Sequence, residues 1–86
     1  MAGLETEISR LSNKDVKIRR KAVRRLFEME NPMALRGFVP LLNDSDFWFR
    51  NKSLEAHRKW ANDVDDLLPL MKDHKRLIGE LLQRID

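Results

Sequence analysis

The chain has no cysteine and no tyrosine among its 86 residues, and only three glycines, three prolines and one glutamine. Without cysteine there are no disulfides, no thiol catalysis and no thiolate metal sites. So few glycines and prolines leave few enforced breaks, a composition that suits helices. Apolar runs are short. None approaches the roughly 18 residues that a membrane span requires, and the N-terminus carries no run of signal-peptide length. A cytoplasmic protein without membrane contact is expected. A Gly-rich phosphate loop, a nucleotide motif and a nucleophile–base pair are also missing. The two histidines, His57 and His74, lack the spacing of a metal pair. The aspartates Asp63, Asp65 and Asp66 lack the glycine and terminal glutamate of a calcium loop. No metal, cofactor or small-molecule substrate is therefore expected, and the function expected is binding, not catalysis.

What is present is charge and helical periodicity. Hydrophobic residues make up 42% of the chain, enough for a packed core, and charged residues 36%. Eighty-six residues form one domain, residues 1–86, and bury only about 60–65% of their unfolded surface, so the core is thin. The net charge is +3 and the isoelectric point near 9.6. Its distribution is uneven. Lys14, Lys17, Arg19, Arg20, Lys21, Arg24 and Arg25 oppose only Asp15 in one stretch, which leaves the rest of the chain slightly acidic.

The spacing predicts six helices and no strand. The first covers about residues 3–11, with Leu4, Ile8 and Leu11 aligned. The second covers about 15–29 and turns Ile18, Ala22, Val23, Leu26 and Met29 to one side, Lys17, Arg20, Lys21 and Arg24 to the other. The third starts at Pro32 behind the cap Asn31 and runs to Leu42, with Pro40 expected to kink or shorten it. The fourth runs from Asp46 to Trp60 or Ala61, with Phe49, Ser53, Ala56, His57 and Trp60 inward. The fifth begins near Asp63, where aspartates favour the positive end of the helix dipole, and the sixth covers about 74–85. Connections of two to four residues make consecutive helices antiparallel neighbours.

One segment repeats. Leu11-Ser-Asn-Lys-Asp15, then Ile18-Arg19 and Ala22, matches Leu42-Asn-Asp-Ser-Asp46, then Phe49-Arg50 and Ser53, at a constant offset of 31 residues. A self-match at this period signals stacked helical hairpins. The stretch Asn31 to Arg50 resembles a HEAT repeat of the kind found in phycobilisome-lyase-like HEAT proteins: a helix ending Leu41-Leu42, the turn Asn43-Asp44-Ser45-Asp46, then Phe49-Arg50. The resemblance covers roughly residues 11–73 and decays in the last helix. It implies a short α-solenoid of about two hairpins with flanking helices, acting as an interaction scaffold. It also implies that Asp15, Arg19, Asp46 and Arg50 are structural, the arginines bridging to turn acids of neighbouring repeats. A basic helical chain of this size is further similar to the small accessory subunits of archaeal B-family DNA polymerases, on length, helix pattern and charge.

Two surfaces stand out as candidates. Lys17, Arg20, Lys21 and Arg24, flanked by Arg25, repel one another by roughly 0.2–0.5 kcal/mol per neighbouring pair. Only Glu28 offers relief. Such a stripe suits phosphates or an acidic protein surface, or it is an ordinary solvated face; no aromatic is interleaved to stack bases. The second candidate is Phe47-Trp48-Phe49. Phe49 belongs to the core, whereas Trp48 shares its direction with Lys52, Glu55 and Lys59. Phe47, Trp48, Lys52 and Lys59 are therefore expected to anchor a partner, unless Trp48 folds back to cap the thin core. His57, on an apolar face where the upstream copy has Leu26, is expected buried and hydrogen-bonded. The reading is an accessory subunit or adaptor docking on a larger protein, with direct DNA or RNA binding by the second helix as the alternative.

Overall fold

The computed structural model describes residues 3–85. Among these residues the chain is all-helical, with six helical segments and no strand. Three are helices α1 (Leu4–Arg10), α2 (Val16–Met29) and α4 (Phe47–Trp60), and the last is α5 (Lys75–Leu82). The third segment is composite. Three-ten turns at Pro32–Ala34 and Val39–Asn43 flank a single α turn, α3 (Leu35–Phe38). Pro40, expected to disturb this helix, lies in the tighter second turn, where its missing N–H breaks the α ladder. The fifth segment, Val64–Leu70, is three-ten throughout and holds Pro69.

The repeat is visible in the backbone. Asp15 and Asp46 are both N-caps of near-identical conformation, φ −81° and ψ 116° against φ −92° and ψ 123°. Each accepts a bond from the N–H two residues on, Lys17 at 2.9 Å and Trp48 at 2.8 Å. The residue two before each cap braces it: Asn13 Oδ1 and Asp44 Oδ1 accept the N–H of Asp15 and Asp46, both at 2.8 Å. The same local chemistry therefore starts α2 and α4. At its other end α2 stops at Glu30, whose φ of 51° is left-handed and turns the chain toward Asn31.

The core joins α2, α3 and α4. Phe27, Phe38 and Trp60 form a cluster with ring centres 5.2–6.0 Å apart, the Phe27–Trp60 pair stacked at 22°. Leu26, Phe38, Phe49 and Leu70 are completely buried around it. The inward face of α4 holds Phe49, Ser53, Ala56, His57 and Trp60, the five residues its periodicity indicates. On α2 the interior takes Ala22, Val23 and Leu26, while Ile18 and Met29 at its two ends are exposed. Helix α1 lies close against α3 because Gly37 has no side chain: a β-carbon there would stand 3.0 Å from Ile8 Cγ2. The shortest extent of the chain, 16 Å, is that of two helix layers about 8–10 Å apart.

Candidate interaction surface

The basic stripe and the aromatic triplet lie on one surface, brought together by the packing of α2 beside α4. Trp48 is half-buried and packs edge-on against Phe49, ring centres 5.0 Å apart at 84°. Three cations surround its indole. The guanidinium carbons of Arg20 and Arg24 lie 5.6 and 5.8 Å from the ring centre, and Lys52 Nζ lies 5.4 Å away. The exposed aromatic is its neighbour. Phe47 is 69% exposed, with Arg50 5.7 Å from its ring centre.

The structure divides the basic residues by partner. Arg25 turns to α1 and ion-pairs with Glu7 at 3.2 Å. Arg20 reaches Asp46 at 3.8 Å. Arg19 pairs with Asp44 and covers the Phe49 ring at 4.1 Å. Lys17, Lys21 and Arg24 have no carboxylate partner among the described residues. Arg50, the equivalent of Arg19, bonds the carbonyls of Asp44 and Ser45 at 2.7 and 3.0 Å, within its own turn. Lys52 pairs with Glu55 at 3.2 Å. Lys59 reaches Glu30 at 3.8 Å and is separated from Trp48 by about 16 Å of helix. It does not join Phe47, Trp48 and Lys52.

Glu7 was not singled out in the sequence. It is completely buried, and its Oε2 accepts from Arg10 at 3.1 Å and Arg25 at 3.2 Å, while Oε1 has no partner among the described residues. Its position was legible, since Glu7 stands three residues after Leu4 and four before Leu11, on the apolar side of α1.

His57 is completely buried, as expected. Its Nδ1 lies 2.8 Å from the Ser53 carbonyl. A carbonyl only accepts, so Nδ1 carries a proton in this bond. Nε2 is buried without a partner among the described residues. Burial pushes the His57 pKa below its ordinary value. The bond to Ser53 and the charge of Asp66 oppose that shift, and His74 adds to it. Ser53 itself donates to the Phe38 carbonyl at 2.6 Å, which ties α4 to α3. Asp63 and Asp66 form a reciprocal capping box, Asp66 N to Asp63 Oδ1 at 3.1 Å and Asp63 N to Asp66 Oδ2 at 3.3 Å.

A second surface has no counterpart among the sequence candidates. Between the Val64–Leu70 turn and α5 runs an apolar groove of about 320 Å³, lined by Val64, Leu68, Met71, Ile78 and Leu82, with Lys75 at its edge and Leu67 at its floor. Val64, Leu68, Met71 and Leu82 are each 48–59% exposed. At three residues per turn, Leu67 and Leu70 share the buried face and Leu68 and Met71 share the open one. No helix among the described residues is long and apolar enough to cross a membrane, and no cluster of three or more histidine, aspartate or glutamate residues among them could hold a metal ion. No protein-family model, curated protein or solved structure matches the chain.

Proposed function

We propose that this chain is a non-catalytic protein-interaction module, a small accessory subunit or adaptor that docks on a larger protein. The observation that carries this reading is the apolar groove. Four large apolar side chains stand half-exposed around one concavity, a contiguous apolar surface of the kind that marks interaction sites. The groove lies between two consecutive helical segments, so the next layer of a helical stack, or one amphipathic helix of a partner, fits it in shape. A short HEAT-like solenoid is the architecture we favour. The paired caps Asp15 and Asp46 and the Arg19–Asp44 bridge between successive helix pairs support it.

A second reading, direct binding of DNA or RNA, has its own support. The basic stripe lacks an aromatic in sequence, yet the fold supplies Trp48 beside Arg20 and Arg24, with the exposed Phe47 next to it on α4. The two readings meet in an adaptor that docks by its groove on a nucleic-acid machine, such as a DNA polymerase, and presents its basic face to the substrate. Affinity capture of the tagged chain from its native lysate, with and without nuclease, separates them. A stoichiometric protein that survives nuclease supports the adaptor. Co-purifying nucleic acid alone, with no such protein, contradicts it and favours the second reading.

A further inference from the structure

We infer that the face shared by α2 and the start of α4 binds single-stranded nucleic acid, with Phe47 as the stacking platform and Lys17, Lys21 and Arg24 as phosphate contacts. This rests on the nucleic-acid reading above and narrows it to one ligand class and one set of residues.

The argument starts from the use of charge. Among the described residues Arg10, Arg25, Arg36, Arg58 and Lys59 all pair with carboxylates away from this face. Lys17, Lys21 and Arg24 are left without carboxylates among the described residues, and they lie within about 100° of Arg20 around α2. Self-repulsion on one helix face is tolerated at a cost, and a polyanion removes it.

Cations alone would serve any phosphate backbone, including that of a duplex. Phe47 distinguishes the cases. Its ring is 69% exposed at the first position of α4 and covers little of its own fold. Arg50 stands 5.7 Å from it, held by the Asp44 and Ser45 carbonyls, so one side of the ring is already ordered. A flat exposed ring among cations accepts a base that is free of a stack, which a duplex does not offer. Trp48 continues the surface inward. It is held by Phe49 and by the cations of both helices, so it sets the geometry of the platform.

The test is fluorescence anisotropy with a labelled dT oligomer of about 12 nucleotides and a duplex of equal length, using wild-type chain, Phe47→Ala, Phe47→Trp and the triple reversal Lys17→Glu, Lys21→Glu, Arg24→Glu. Each variant is first checked by thermal melting. The wild type is expected to prefer the single strand, with affinity falling about two log units per tenfold rise in salt for three neutralised phosphates. Phe47→Ala is expected to weaken single-strand binding about 5- to 150-fold and leave duplex binding unchanged, while Phe47→Trp retains it. The triple reversal is expected to abolish both. If the triple reversal abolishes binding but Phe47→Ala binds the single strand as tightly as wild type, the stacking inference fails and the broader nucleic-acid reading survives. If the wild type binds neither form at low salt, or binds polyglutamate as tightly as the oligomer, both fail.

Discussion

Arg19 of α2 ion-pairs with Asp44, which belongs to the turn that starts α4, and the same guanidinium covers the Phe49 ring at 4.1 Å. One side chain thereby links α2 to the turn that starts α4. The two partners are only 18% and 15% exposed, so water screens the pair less than a surface bridge. A double-mutant cycle with Arg19→Met and Asp44→Asn, followed by urea unfolding, is expected to give a coupling of about 1–2 kcal/mol. Asparagine keeps the oxygen that braces Asp46, so the cycle reports on the bridge and not on the cap. A coupling near zero would mean that the bridge contributes no stability.

Glu7 gives an asymmetric expectation. Its carboxylate is completely buried, whereas Arg10 and Arg25 are each 40% exposed and reach water without it. Replacing Glu7 by methionine of similar volume is expected to be neutral or slightly stabilising. Removing both arginines strands a buried charge and is expected to cost about 3–5 kcal/mol. Chemical denaturation of the two variants checks the order, and the reverse ranking would contradict it.

His57 predicts acid sensitivity. Burial lowers its folded-state pKa, with the Ser53 bond and Asp66 acting against that and His74 with it. The unfolded chain therefore takes up a proton first as pH falls. Stability is full above the unfolded value of about 6.5, and this contribution is lost as pH drops from there toward the lowered folded pKa. Denaturation midpoints between pH 7.5 and 5.5 (about one unit either side of 6.5) are expected to decline in the wild type. His57→Leu, which places the residue of the equivalent Leu26, is expected to flatten that part of the decline. An unchanged slope in the variant would assign the sensitivity to other groups.

Neighbouring leucines of the fifth segment are expected to behave oppositely. Leu70 is completely buried, and Leu70→Ala is expected to cost about 2–5 kcal/mol. Leu68 is 55% exposed, and Leu68→Asp is expected to change monomer stability by only about 0.5 kcal/mol. Urea midpoints decide, and a large loss for Leu68→Asp would place it in the core.

Much of the fold was legible in the sequence, for reasons visible at particular residues. Caps are local chemistry: Asp15 and Asp46 bond within two residues, so their pattern survives in sequence. The face of α4 was legible because a 14-residue helix fixes its period. The groove was not, because it forms between the fifth segment and α5, and which apolar side chains of the two stay uncovered depends on how the segments pack. The cationic surround of Trp48 depends on the approach of α2 to α4, which no single-helix pattern contains. Phe47 differs from Trp48 in exposure because the first residue of α4 projects past the preceding turn, whereas the second folds back on Phe49.

The docking role of the groove is tested most directly by capture from native lysate, after nuclease treatment, with wild type, Leu68→Asp plus Leu82→Asp, and Phe47→Ala side by side. The groove variant is expected to melt like the wild type yet lose the stoichiometric protein partner, while Phe47→Ala keeps it. Retention of that partner by the folded groove variant would contradict docking through this face.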